Sequence, residues 1–423
     1  MNPTQMVIAS ALFTLGAQPP AAVYADQHAK STEWTQAQRL AASDGQRFDE
    51  FGRSVAIDGN TAVVGAFGEN TGGDNAGALY VYTRNRGAWM EQAKLTLLNP
   101  SSEQQLGLHV TLDGDTIASA VGDEDQLGNF TGSVRIFERH RGVWSEQAKI
   151  VAPDAGASES FGVPVIPVIR GELLAVGDFS AAVDGVENAG AVYVFRRQGQ
   201  RWLPLAKIPA PKPRQNALFG SHLDLSDKYL AINAQSQHLT GRTLHSVVYV
   251  YERVGSRFVL RDRIALRDID GTQPTDFFVQ SLGISGDRLV AGAPFSVASG
   301  TRAGAAYVFK RRGTHWIKQQ TITASDADFN DLLGISLDID RRTIVIGAWG
   351  DKDDSGELFQ GSAYVFSERD GRWSQVSKLR AADGVATDGF GQAVSVSGKN
   401  VISGAASAMG SGAAYIFEAP NRH

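Results

Sequence analysis

A block of about 55 residues recurs seven times along this chain, and a repeat of that length restricts the possible folds more than composition could. Its marker is a short phrase: an aromatic residue, four mixed residues, usually a base, then Leu or Ile. The phrase runs Trp34–Leu40, Trp89–Leu95, Trp144–Ile150, Trp202–Ile208, Phe258–Ile264, Trp316–Ile322 and Trp373–Leu379. Successive aromatics stand 55, 55, 58, 56, 58 and 57 positions apart. A fixed period near ~50 residues, built only of strands, specifies a solenoid, an array or a propeller, because one unit cannot bury its own apolar face.

Residues 51–95 show the unit. Phe51–Ile57 reads as a first strand and Asp58-Gly59-Asn60 as a turn. Thr61–Gly65 is a second strand, followed by a Gly-, Asn- and Asp-rich loop to Ala76. Gly77–Tyr82 is a third strand, Arg84–Gly87 a hairpin turn and Trp89–Leu95 a fourth strand. No unit carries a helical period. The second and third strands are apolar on both sides, as in Ala-Leu-Tyr-Val-Tyr82 and its counterparts ending at Phe195, Phe309 and Phe417. A sandwich strand with one wet face alternates; a blade covered by neighbours on both sides does not. The expectation is therefore all-β: a seven-bladed β-propeller of four-stranded blades. The phrase at 34–40 is a fourth strand without a unit, and the seventh unit lacks its fourth strand. Pairing 34–40 beside 413–417 closes the ring and removes two sheet edges.

Composition agrees. At 423 residues and 43% hydrophobic, the chain is long for one ordinary core but suits units that share theirs. The net charge of −5 argues against a specific nucleic-acid binder. The absence of cysteine removes disulfides, thiolate metal sites and a cysteine nucleophile. Residues 1–25 read as a signal peptide: Met6–Leu15 is mostly apolar and Val23-Tyr24-Ala25 precedes Asp26, although no Lys or Arg precedes Lys30. A short leader then covers 26–33, the propeller 34–418 and a tail 419–423. No segment has the length and apolar character of a transmembrane helix.

Several dipeptides recur in register. Phe51-Gly52, Phe161-Gly162, Phe219-Gly220 and Phe390-Gly391 have the variants Leu106-Gly107 and Leu333-Gly334, and Phe278-Val279 stands at that place in unit five. Gly292-Ala-Pro294 has partial forms beginning at Gly65, Gly347 and Gly404, while units two and four carry Ala120 and Asn233. With Gly-Ala-x-Tyr-Val-Phe, these closely resemble the FG-GAP repeat over residues 34–418. The resemblance implies a propeller of the kind at the head of integrin alpha chains and in many secreted bacterial proteins. The integrin-type version has an Asp-rich calcium loop between Phe-Gly and Gly-Ala-Pro. Here that gap is a tight turn with no room for 6–8 oxygen ligands, so the resemblance is to a calcium-free variant. Phe-Gly and the repeated Trp read first as packing residues.

Charge divides by loop. Six 3–4 hairpins (83–88, 138–143, 196–201, 252–257, 310–315, 367–372) carry 14 bases and 4 acids, a net of +10, leaving −15 elsewhere. Strand geometry puts them on one side of a disc. The 2–3 and 4–1 loops take the other side, where Asp44, Asp49, Glu50, Asp74, Asp123, Glu124, Asp125, Asp178, Asp326, Asp328, Asp351, Asp353 and Asp354 predict an acidic face. Charged hairpins also simply keep edges soluble; the functional version sets a polyanion or an acidic lipid surface on the basic face, or a basic partner on the acidic one. Asp351-Lys-Asp353-Asp-Ser355-Gly-Glu357 resembles the start of a calcium loop, with Phe359 where the ninth-position ligand belongs. Calcium there is the one metal candidate, through Asp351, Asp353, Ser355 and Glu357; no other cofactor is indicated.

No catalytic residues are assigned. The chain has no Gly-x-Ser-x-Gly, no His-Glu-x-x-His and no phosphate loop, and its eight histidines do not cluster. The expectation is an exported, monomeric, non-catalytic binding or adhesion module for a protein or glycan partner. Contact is expected at the acidic-face loops, with Asp123, Glu124, Asp125 and Asp178 as ligand-binding residues. The alternative is a secreted polysaccharide hydrolase or lyase with an axial carboxylate pair.

Overall fold

The computed structural model describes residues 33–122, 131–154, 161–163, 165–237, 244–265, 279–352 and 360–420. Among these, twenty-eight strands form seven four-stranded antiparallel sheets, six of them built in chain order from an inner first strand to an outer fourth. Blades 1 to 6 span 54–95, 110–150, 168–209, 223–265, 281–322 and 337–379, and blade 7 spans 394–418. The N-terminal strand β1 (Thr35–Leu40) completes blade 7. It pairs antiparallel with the C-terminal strand Ala413–Glu418, Thr35 opposite Glu418 and Leu40 opposite Ala414. First strands of adjacent blades touch around the axis. The ring and its closure follow the sequence pattern.

Blade 1 consists of β2 (Ser54–Asp58), β3 (Thr61–Ala66), β4 (Ala78–Asn85) and β5 (Ala88–Leu95). β3 is buried along its whole length and β4 over Ala78–Tyr82, as strands dry on both faces require. The outer strand alternates, hiding Trp89 and Leu95. Trp144, Trp202, Trp316 and Trp373 are buried likewise, so these rings are core and not ligand platforms. Each third–fourth pair carries one register shift at the same place, for example between Val81 and Tyr82, and this bulge increases the local twist of the outer strand.

The first strand departs from expectation. It begins at Ser54, not Phe51. Phe51 instead bridges to Gly412 of blade 7, and Leu106, Leu333 and Phe390 make the same lone bridge to the preceding blade. The Phe51 ring packs edge-on against Tyr80 at 5.4 Å and Tyr82 at 6.2 Å, within a cluster drawn from blades 7 and 1. The glycine that follows has positive φ, +101° at Gly52 and +86° at Gly391. It lies against the second-strand glycine of the preceding blade: Gly52 on Gly404, Gly107 on Gly65, Gly220 on Gly177, Gly334 on Gly292 and Gly391 on Gly347. A Cβ on Gly404 would run into the carbonyl of Gly52.

Two junctions differ. Between blades 2 and 3, Gly162 faces Ala120, whose methyl is accommodated. Between blades 4 and 5 both glycines are gone. The Gln280 N–H donates to Gly292 as Gly52 does to Gly65 and Gly334 to Gly347. Val279 therefore holds the Phe position and Gln280 the Gly position, one residue later than Phe278-Val279, and Asn233 stands at the second-strand position opposite. Gly404→Ala is expected to lower stability by ~1–3 kcal/mol through overpacking, and Ala120→Gly by ~1 kcal/mol or less; denaturant midpoints of the two variants test the contrast.

Candidate functional site

The loop face, formed by the 2–3 and 4–1 connections, holds Asp178 and Asp351 of the sequence-predicted residues. Asp123, Glu124, Asp125, Asp353, Ser355 and Glu357 lie outside the described residues. Asp178 is fully buried and accepts from Ser180 through its backbone N–H (3.2 Å) and hydroxyl (2.8 Å). Asp351 is also buried, with the Tyr364 hydroxyl at 2.8 Å and Lys378 Nζ at 2.6 Å. An ammonium group thus already occupies part of the Asp351 carboxylate.

Asp351 is one corner of a repeated clamp. Lys378 also holds Asp326 at 2.6 Å, and Asp326 lies 3.0 Å from the Tyr364 hydroxyl. In blade 1, Lys94 binds Asp44 at 2.6 Å and Glu69 at 2.9 Å, while Tyr80 donates to Asp44 at 2.7 Å. Lys207 binds Asp154 at 2.6 Å, and Arg39 binds Asp383 at 3.2 Å beside Tyr415. In each case the Asp follows the outer strand of one blade and the Tyr and cation belong to the next. Hydrogen bonds from Lys94 and Tyr80 hold the Asp44 carboxyl below its usual range. Burial is the largest single influence on Asp326 and opposes its ionisation, but the hydrogen bond and charge of Lys378 and the hydrogen bond from Tyr364 together outweigh it, and the carboxyl is again lowered.

A second use of acids fixes the loop before three of the Phe-Gly or Leu-Gly dipeptides. Asp49, Asp331 and Asp388 are buried and accept the N–H three residues earlier, from Gln46, Asp328 and Val385 at 2.6–2.8 Å; Gln104 does the same for Ser101. Burial pushes the Asp331 carboxyl up to about 6. These acids are structural, so the face is less acidic than its sequence suggests. The Asp-x-Phe-Gly spacing of Asp49 and Asp388 is the signal that would have revealed this role.

Besides exposed charges such as Asp74, Asp184 and Glu187, this face leaves large apolar side chains open. Phe48 and Met409 are 69% and 70% exposed, and Leu98, Phe329 and Val385 are exposed beside other blades. Phe48 and Met409 adjoin, since Phe48 N donates to Gly410 O at 2.7 Å. The Arg47 guanidinium stacks 4.7 Å from the Phe48 ring, and Arg39 reaches the Met409 sulfur at 3.4 Å. Both apolar residues have left-handed backbone, φ 74° and 52°. The equivalent of Phe48 in other blades is Glu103, Asn216, Asn330 or Thr387, also at positive φ. The loop therefore imposes the conformation, and the bulky ring is the unusual choice.

First strands enclose an axial cavity of ≈ 660 Å³, lined among others by Arg53, His109, His222, Asp224, Gln280, Asp338 and Gln392. Its carboxylates stitch neighbouring blades together. Asp58 accepts from Gly114 N, Asp113 from Gly171 N, Asp224 from Ile284 N, Asp338 from Val396 N and Asp340 from Gly398 N, all at 2.6–2.8 Å. Sequence spacing cannot show these bonds, because each joins residues 56 to 60 positions apart. Although the cavity leaves Asp224 partly open, protein surrounds it, and burial pushes its carboxyl up to about 7. Burial pushes His222 down to about 4, and its Nδ1 has no hydrogen-bond partner.

These two shifts act on stability in opposite directions. The unfolded Asp224 loses its proton near 4 and the folded one near 7, so its contribution to stability falls as pH rises through that window. The unfolded His222 gains its proton near 6.5 and the folded one near 4, so its contribution falls as pH drops. Denaturant unfolding across this range is expected to show the stability gap between wild type and Asp224→Asn closing as pH rises. The gap for His222→Gln should close as pH falls.

A sequence profile described as the FG-GAP repeat matches residues 34–82, 144–195, 267–309, 316–366 and 373–417. The stretches between matches include most of blades 2 and 4, which carry Ala120 and Asn233 in place of glycine. No curated protein matches the chain in sequence. Among solved structures, the β-propeller domain of the Trilobed protease from Pyrococcus furiosus is similar with a TM-score of 0.47 and 10% identity, over 83% of this chain and 90% of that one.

Proposed function

The chain belongs to the FG-GAP repeat family, and on that premise we propose that it is an exported, non-catalytic binding module whose loop face takes a protein partner. The exposed, adjoining pair Phe48 and Met409 carries this reading, flanked by Arg47 and Arg39. Aromatic, Met and Arg side chains are the types enriched at the cores of protein interfaces. Two large apolar groups held in left-handed loops cost stability and gain nothing from burial in the chain itself, which supports their use on a partner. Export draws support from the N-terminal segment around Met6–Leu15, removed after Ala25 in this reading, and from the secreted proteins that share the repeat.

A glycan-active axial site is the second reading, because Asp224 and Asp338 line the cavity and burial raises both carboxyls. Catalysis requires an oxygen free to exchange protons with substrate. All four oxygens here accept main-chain N–H groups, from Leu225 and Ile284 and from Ile339 and Val396, which favours a structural role.

A photo-reactive side chain at position 48 is expected to crosslink a protein partner on the cell surface, and one at position 141, on the opposite side of the disc, is not. The double variant Phe48→Asp/Met409→Asp should weaken that interaction by roughly 30-fold or more, the scale of a hot-spot loss, with its unfolding midpoint preserved. Equal adducts from positions 48 and 141, or undiminished binding by the double variant, would refute the assignment.

A further inference from the structure

The other side of the disc has a different chemistry. Six 3–4 hairpins expose Arg86, Arg141, Arg201, Arg257, Arg312 and Arg372, and none of the six has an ionic partner among the described residues. The arginines behind them are neutralised: Arg84 by Glu418, Arg139 by Asp115, Arg197 by Glu138 and Arg253 by Glu172, at 2.5–2.7 Å. The 3–4 hairpins and the seven 1–2 turns together hold 19 bases and 11 acids. The surplus is +8 on a chain of net charge −5.

Backbone conformation supplies an independent argument. Arg341 has φ 54° and stands where five other blades place Gly59, Gly114, Gly171, Gly286 and Gly398, with φ between 55° and 61°. Its side chain is 85% exposed. Arg86 and Arg141 also sit at left-handed hairpin positions, with φ 51° and 52°. Such positions suit Gly, Asn or Asp, so turn geometry does not account for the arginine. Solubility alone would be served equally by acids or mixed charge.

We propose that this face docks the protein flat against an anionic membrane surface. Hairpin tips arranged around one axis share a plane, with the axial opening at their centre. A flat headgroup layer meets all of them at once, whereas a linear polyanion reaches only those along one chord. Val143 and Val254, exposed at two of the tips, add apolar contact with the interface. A base held at an anionic bilayer strengthens binding about five-fold, so six acting together bring a weak contact into a measurable range.

The test is co-sedimentation with vesicles of three parts phosphatidylcholine to one part phosphatidylglycerol, and with pure phosphatidylcholine. The protein is expected to bind the anionic vesicles at low salt, to ignore the neutral ones, and to be released at roughly 0.5 M salt, where screening shortens to a few ångströms. A variant with all six tip arginines changed to Gln should bind more than a hundredfold more weakly with an unaltered unfolding midpoint. Phe48→Asp/Met409→Asp, on the opposite face, should bind as wild type does. Failure of wild type to bind anionic vesicles at low salt would overturn the proposal, as would full binding by the six-Gln variant or loss of binding in the loop-face variant. Retention on heparin without vesicle binding would do so too, by giving the face to a linear polyanion.

Discussion

Glycine facing glycine between blades is the contact on which the ring depends. Seven twisted sheets converge on one axis, and their inner ends must approach to backbone distance. Gly404 and Gly52, or Gly65 and Gly107, allow that approach because neither carries a Cβ. The two dipeptides that mark the repeat are therefore halves of one contact, each belonging to a different blade. Phe51 bridges the preceding blade through its backbone and fills the wedge beside it with its ring. At the junction between blades 4 and 5, glycine is absent from both sides together, Asn233 on one and Gln280 on the other.

Charge is spent mostly on holding blades to one another. On the loop face, Asp44, Asp154, Asp326 and Asp383 each reach from the end of one blade to a cation on the next. On the hairpin face, Arg84, Arg197 and Arg253 cross to carboxylates on adjacent blades. Around the cavity, inner-strand carboxylates accept amides from their neighbours. What remains after these pairings includes exposed apolar side chains on one face and unpaired guanidinium groups on the other. That remainder, and not the total charge, describes how each face can bind.

Architecture was legible because it is written in local pattern. Strands dry on both sides, a strict period and an orphan fourth strand at 35–40 each specify part of the ring, and none needs a distant partner to be recognised. The site was not legible, because its chemistry depends on pairings far apart in sequence. Asp178, Asp351 and Asp49 look like surface acids until the Ser, Tyr, Lys or backbone N–H that consumes each is in place. The one-residue slip at Val279 was hidden for the same reason, since only the bond from Gln280 to Gly292 reveals the register. Phe48 and Met409 were overlooked because a single Phe or Met in a loop carries no pattern.

The closing pair of strands also sets how the molecule bears mechanical load. Thr35 lies opposite Glu418, so the segments leading away from this pair leave the sheet side by side. Tension applied through residues 35 and 418 falls on the hydrogen bonds of that seam one after another, beginning at this end. The same bonds would resist together if the pull ran along the strands in opposite directions. The ring is thus weakest against a pull at its own seam, where peeling away one outer strand opens blade 7 without first disturbing the six other sheets.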